Sequence, residues 1–149
     1  VPVVLDLMIH DIDLVLTLIN KKVIKINASG SSIISNFIDL ANARIEFEGG
    51  AVANLTASRV STKQMRQMRV FEKNFYSAID LQNHTLKTLA LKNKKITPSN
   101  TVISKKNALF EELAAFTNSI KNNSKIAVSG QDGLRALETA IEIQKIIEK

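Results

Sequence analysis

From residue 7 to residue 19 the chain is almost uninterruptedly apolar, which predicts a buried helix. Beyond Lys22 the period drops to two. Ile24, Ile26 and Ala28 fall on one face and Lys25, Asn27 and Ser29 on the other, until Gly30-Ser31-Ser32 is expected to break the chain. Two further alternating runs, Ala41, Ala43, Ile45, Phe47 and Ala51, Ala53, Leu55, Ala57, flank Gly49-Gly50. Glycine reaches positive φ without a Cβ clash, so the pattern predicts a tight hairpin. Strands are also expected over residues 65–71, 75–80 and 85–91, joined by polar connections short enough for antiparallel neighbours. Thr97-Pro98-Ser99-Asn100 reads as a loop that ends the sheet.

The rest of the chain returns to helical spacing. Asn107 is placed to cap a helix that has Glu111 and Glu112 near its positive end and an apolar face of Leu109, Leu113, Phe116 and Ile120. Ser129-Gly130-Gln131-Asp132 is a helix start of the capping-box type, and Leu134, Leu137, Ile141 and Ile147 form the expected core stripe of the last helix. A helix, a run of strands and two helices, with no βαβ alternation, predict an α+β fold. Its expected form is an open, predominantly antiparallel β-sheet with the helices packed on one face. The other face, rich in Asn, Thr, Ser, Arg and Glu, is either wetted or meets a second subunit. The length of 149 residues suits a single domain over 1–149, and no internal repeat is present.

Composition narrows the class. Hydrophobic residues make up 45% and charged residues 23%, as in ordinary globular domains. The absence of cysteine excludes a disulfide scaffold or a thiolate metal site and favours a reducing, cytoplasmic setting. No apolar run is long enough to span a bilayer, and Val1-Pro2-Val3-Val4-Leu5 lacks the basic flank of a signal peptide, so no membrane association is expected. The chain does not begin with Met, which points to a piece of something longer. The charge of +6 comes from 20 Lys and Arg against 14 Asp and Glu. With aromatics at 5% and no Trp, runs such as Lys92-Asn93-Lys94-Lys95 read as solvated loop lysines rather than a nucleic-acid platform.

One group of residues stands apart from fold-making. Asp6, His10, Asp13 and Thr17 follow at spacings of four, three and four, which places them on one stripe of a helix. The stripe is either the solvent face of an amphipathic helix or the wall of a cleft. In the cleft, Asp6 orients His10 and His10 exchanges a proton with a substrate hydroxyl, a role worth about a hundred- to ten-thousand-fold in rate. Without a second nearby histidine or any cysteine, no metal site is predicted. After the hairpin, Arg59, Lys63, Arg66 and Arg69 form either a solvated strand edge or a contact to an anionic substrate, Arg59 foremost.

These residues carry a resemblance. Val4-Leu5-Asp6-Leu7-Met8-Ile9-His10-Asp11-Ile12-Asp13-Leu14 resembles the segment that opens the C-terminal domain of the glucose–fructose oxidoreductase/inositol dehydrogenase (Gfo/Idh/MocA) family: an Asp, three residues, a His, an Asp-hydrophobic-Asp run and an apolar helix. The stretch from Phe47 to Ser58 is similar to its Gly-Gly hairpin, and Val128 to Glu138 to its final helix. The matches keep the family's order and span almost the whole chain. The resemblance implies the C-terminal half of an NAD- or NADP-dependent oxidoreductase whose N-terminal Rossmann domain, missing here, holds the cofactor. The reaction implied is hydride transfer between a nicotinamide and a ring hydroxyl carbon of a sugar, nucleotide sugar or cyclitol. Asp6 and His10 take the catalytic positions beside a Lys of the other domain, and Asp13 faces a substrate hydroxyl or packs the helix. It also implies a homodimer or tetramer paired through the open sheet face.

The departures are specific. Met8 stands where the family often has glycine, and is expected either to narrow the site or to alter the substrate. No Gly-x-Gly-x-x-Gly occurs, so this chain alone is expected to hold no dinucleotide and to be inactive. Glu72-Lys73-Asn74 echoes the family's Glu-Lys-Pro but reads as a strand turn. The other function class left open is a non-catalytic binding or assembly module. In it the sheet face recruits a partner and Asp6 and His10 are structural.

Overall fold

The structure, a computed structural model, describes residues 1–149 apart from the side chain of Lys92. It groups into two compact units, Val1–Ser61 with Ile126–Lys149, and Thr62–Lys125.

The first unit opens with a π-helical turn, Val4–Met8, that runs directly into α1, Ile9–Ile19. Val4, Met8, Ile12, Val15 and Leu16 are buried. Leu7 and Leu18 are exposed, so the helix is one-sided and not wholly buried as its composition predicts. It ends at Asn20, whose left-handed φ of 48° turns its N–H onto Leu16 O at 3.0 Å. Strands β1 (Val23–Ser31), β2 (Leu40–Phe47) and β3 (Val52–Ser58) follow as an antiparallel sheet in chain order. Ala41, Ala43, Ile45 and Phe47 point into the core as predicted, and Gly49 and Gly50 both turn the β2–β3 hairpin at φ 87°.

Two expectations for β1 change. Val23 pairs with Phe47 and Lys25 with Glu46, so Ile24 is an extra residue, and the bulge turns it outward away from Ile26 and Ala28. Gly30 does not break the chain but lies within the strand. A Cβ there meets Ile147 Cγ2 and Ile38 Cγ2 at 2.9 Å and Leu40 O at 3.0 Å, so its bare backbone is what lets the last helix close on the sheet.

That helix, here α3 (Gly130–Ile147), starts with the predicted capping box. Ser129 N–H donates to Asp132 Oδ2 at 2.9 Å, and Asp132 N–H to Ser129 Oγ at 3.2 Å. Its buried face is Ala136, Thr139, Ala140, Ile143 and Gln144, which corrects the expected stripe: Leu134, Leu137 and Ile141 are exposed. Small side chains let the helix backbone approach α1 and β1 closely, whereas the bulkier leucine face would hold it off.

In the second unit, β4 (Gln67–Glu72), β5 (Phe75–Asp80), β6 (Thr85–Lys92) and β7 (Lys95–Val102) form a four-stranded antiparallel meander. β7 occupies the stretch expected to be a loop, and Pro98 pairs in register with Leu89. It is an edge strand exposed along its length, so it has no inside–outside alternation to read, and an edge tolerates Pro. Asn107 caps α2 (Ala108–Lys121) as predicted, its side chain accepting from Phe110 N–H at 3.2 Å. No residue of α2 is buried, and Leu109, Leu113, Phe116 and Ile120 stand exposed where a core face was expected.

The α+β class and the open antiparallel arrangement hold, with α1 and α3 on one face of the first sheet. The strands divide between two sheets, because residues 59–66 form no strand and leave β3 and β4 unpaired with each other. Among the described residues no helix is long and apolar enough to cross a membrane.

Candidate active site

Since Val4, Met8, Ile12 and Leu16 take the inward face of the first helix, the polar stripe is left outside. Asp6 lies in the π-turn, His10 in the first turn of α1, and Asp13 and Thr17 follow. His10 and Thr17 are exposed and Asp13 is half-buried. The π-turn is closed by Ile9 N–H on Val4 O, a bond one residue longer than in an α-helix. Such turns recur at functional sites.

The carboxylate of Asp6 is not joined to His10 by any hydrogen bond among the described residues. Its partner is Arg59, whose Nη2 donates to Asp6 Oδ2 at 2.8 Å. The side chains are 52% exposed for Asp6 and 26% for Arg59. A pair so open to water adds at most about 1 kcal/mol to stability, so its consequence is geometric. Spacing predicts Asp6, His10 and Asp13 together, and the fold adds Arg59 to them from the end of β3. Sequence reasoning leaves this pairing out because 53 positions separate the two residues.

Asp39 is a second carboxylate that the pattern does not single out, and it is fully buried. Its Oδ2 accepts the backbone N–H of Ile33 (2.8 Å), Ile34 (2.8 Å) and Ser35 (3.0 Å), and its Oδ1 accepts Ser35 Oγ at 2.7 Å. The Ile33 N–H, the Ser35 hydroxyl and the Ile34 N–H hold it well below the usual carboxylate range, outweighing the cost of burial. The turn-forming residues Ser32, Ser35 and Asn36 before it are the local signal that points to such a loop. The backbone of the same segment links three elements. Val3 N–H donates to Ile38 O at 2.9 Å, Asp39 N–H to Ser31 O at 3.0 Å, and Arg59 N–H to Asp39 O at 2.9 Å.

The opposite face of the first sheet carries a shallow depression of about 410 Å³ lined by Asn27, Ser29, Asn42, Arg44, Asn54 and Thr56. Cross-strand bonds order it: Thr56 Oγ1 donates to Asn42 Oδ1 at 2.8 Å, and Arg44 Nη1 to Asn54 Oδ1 at 3.3 Å. Among the described residues no group of His, Cys, Asp or Glu is placed to hold a metal ion. Among the described residues all strand pairs are antiparallel, and no glycine-rich strand–turn–helix unit offers backbone N–H groups to a pyrophosphate. The residues present therefore do not fit a dinucleotide.

Residues 2–73 match the family described as the GFO/IDH/MocA C-terminal domain. Nearly half of the chain, from its first helix through the first sheet, thus carries the pattern of that family's C-terminal domain. It is 31% identical to UDP-N-acetylglucosamine 3-dehydrogenase of Acidithiobacillus ferrooxidans, across 99% of this chain and 49% of the relative. A solved structure of that enzyme superposes with a TM-score of 0.93 at 30% identity, again over 99% of this chain and 49% of the other. Levoglucosan dehydrogenase, solved in complex with NADH, gives a TM-score of 0.82 at 15% identity over 96% of this chain and 47% of the other, a likeness of fold. The chain thus spans about half the length of the curated relative it matches.

Proposed function

We propose that this chain is the substrate-facing half of an NAD(P)-dependent oxidoreductase that acts on a ring hydroxyl, with a nucleotide sugar ahead of free sugars and cyclitols as substrate. One observation carries the reading. In a chain 31% identical to a nucleotide-sugar dehydrogenase, Asp6 and His10 stand outward on a one-sided helix, with Asp6 held at 2.8 Å by Arg59. His10 takes the proton of the substrate hydroxyl at an imidazole nitrogen, and Asp6 sets the charge beside it. Asp13, half-buried one turn on, receives a neighbouring hydroxyl. A nicotinamide, when bound, supplies the hydride acceptor, and its place is in a preceding Rossmann domain, since the residues here do not fit it. The ordered polar face of the first sheet suits pairing of subunits into a homodimer or tetramer.

The test uses the full-length protein with UDP-N-acetylglucosamine and either NAD or NADP. His10→Ala is expected to lower kcat by about a hundredfold or more while cofactor binding stays unchanged. Wild-type turnover of that variant would overturn the assignment. Turnover of free sugars or cyclitols in place of the nucleotide sugar would move the substrate class.

A further inference from the structure

We propose that Arg59 is a positioning residue for Asp6, and that Asp39 is the anchor that makes it one. The inference rests on the reading of Asp6 and His10 as the reacting pair. It adds two residues that neither spacing nor family resemblance places in the catalytic machinery.

The argument starts from where the two ends of the ion pair are hung. Asp6 belongs to a π-turn whose entry is fixed by Val3 N–H on Ile38 O at 2.9 Å, and the Asp6 N–H itself donates to Pro2 O at 3.1 Å. Arg59 is fixed by its own N–H on Asp39 O at 2.9 Å. Carboxylate and guanidinium therefore depend on adjacent carbonyls of one dipeptide, Ile38-Asp39. An ordinary surface ion pair joins two long side chains whose backbones move independently, and most of its attraction is offset by the entropy of holding them. Here both backbones are referred to the same short segment.

The segment is itself held. Asp39 is fully buried, and its carboxylate accepts three successive backbone N–H groups and a hydroxyl, while its N–H closes on Ser31 at the end of β1. A buried carboxylate among that many donors has one geometry, because any other leaves polar groups unpaired. Asp39 cannot reach a substrate from this position, so its effect must run through the backbone bonds to Arg59 and the π-turn. What the arrangement supplies is a carboxylate at a preset place on the helix wall beside His10. A displacement of about 1 Å in such a group can cost on the order of a hundredfold in rate.

The experiment is a mutant cycle on the full-length enzyme with UDP-N-acetylglucosamine and its nicotinamide cofactor. Arg59→Ala is expected to lower kcat by about tenfold to a hundredfold with little change in KM. In an Asp6→Asn background the same substitution is expected to cost nothing further, because the group through which it acts is gone. Arg59→Lys keeps the charge but not the planar fork, and should recover part of the loss. It also serves as the test if the alanine variant does not fold. Asp39→Asn should lower kcat in the same direction and likewise lose its effect once Asp6 is replaced.

Additive losses in the Asp6→Asn background, or a loss confined to KM, would make Arg59 a substrate anchor and end the proposal. If Asp6→Asn and His10→Ala both turn over like wild type, the catalytic reading itself is wrong and this inference falls with it. That result is distinct from additivity on an enzyme those two substitutions have disabled.

Discussion

Asp80 shows at the scale of one side chain how a turn in this protein is locked by charge. It accepts the N–H of Asn83 at 2.9 Å, the Asn83 amide at 3.0 Å, the Gln67 amide at 3.1 Å and the N–H of Gln82 at 3.1 Å. Led by the Asn83 N–H, these donors push its pKa from the ordinary 3.8 down to about 2. The folded value is the lower one, so the contribution is fully present above 3.8 and is lost as pH falls through about 2. An NMR titration of the full-length protein should place the Asp80 carboxyl midpoint near 2, with protection of the Asn83 amide falling in the same window. A midpoint at 3.8 would show that these bonds do not form in solution. Single residues were legible in the sequence where a local period exposed them. Asp6, His10 and Asp13 stand out because nearly everything around them, Asp11 excepted, is apolar. Arg59 and Asp39 did not, since their importance comes from partners brought together only by folding.

The elements divide along a similar line. The β2–β3 hairpin, the α2 cap at Asn107 and the Ser129–Asp132 box all depend on residues within a few positions of one another, and all formed as read. What failed was the choice of face. α3 offers leucines on one side and small residues on the other, and hydrophobicity alone favours the leucines. The sheet selects the small ones because Gly30 and Ala140 permit a closer approach. A methyl group at residue 30 has no room beside Ile147, Ile38 and Leu40 O. Gly30→Ala is therefore expected to destabilise the protein by about 1–3 kcal/mol, read as a shift of the urea midpoint without a change in slope. A variant as stable as wild type would mean that α3 does not sit this close to β1. β7 was missed for another reason: an edge strand in water needs no alternation, and its Pro mimics a loop.

For the whole molecule, what matters is what its strands do not do. Among the described residues every strand pair is antiparallel and no strand leads through a glycine-rich turn into a helix, so no strand–turn–helix cradle for a pyrophosphate is formed. The isolated chain is expected to show no saturable binding of NADH or NADPH by fluorescence titration and no turnover, and the full-length protein is expected to bind one of them. Tight binding by the isolated chain would require a nucleotide site of a kind this fold does not display. Sequence by itself determined the α+β class, the hairpin, the helix caps and the acid–imidazole stripe. Each of these follows from neighbours in the chain through backbone stereochemistry and helical or strand period. Only the tertiary structure decided which face of α3 is buried, that the strands form two sheets, and that Arg59 rather than His10 holds Asp6. Those outcomes depend on close packing and on hydrogen bonds between residues tens of positions apart, which no local pattern encodes.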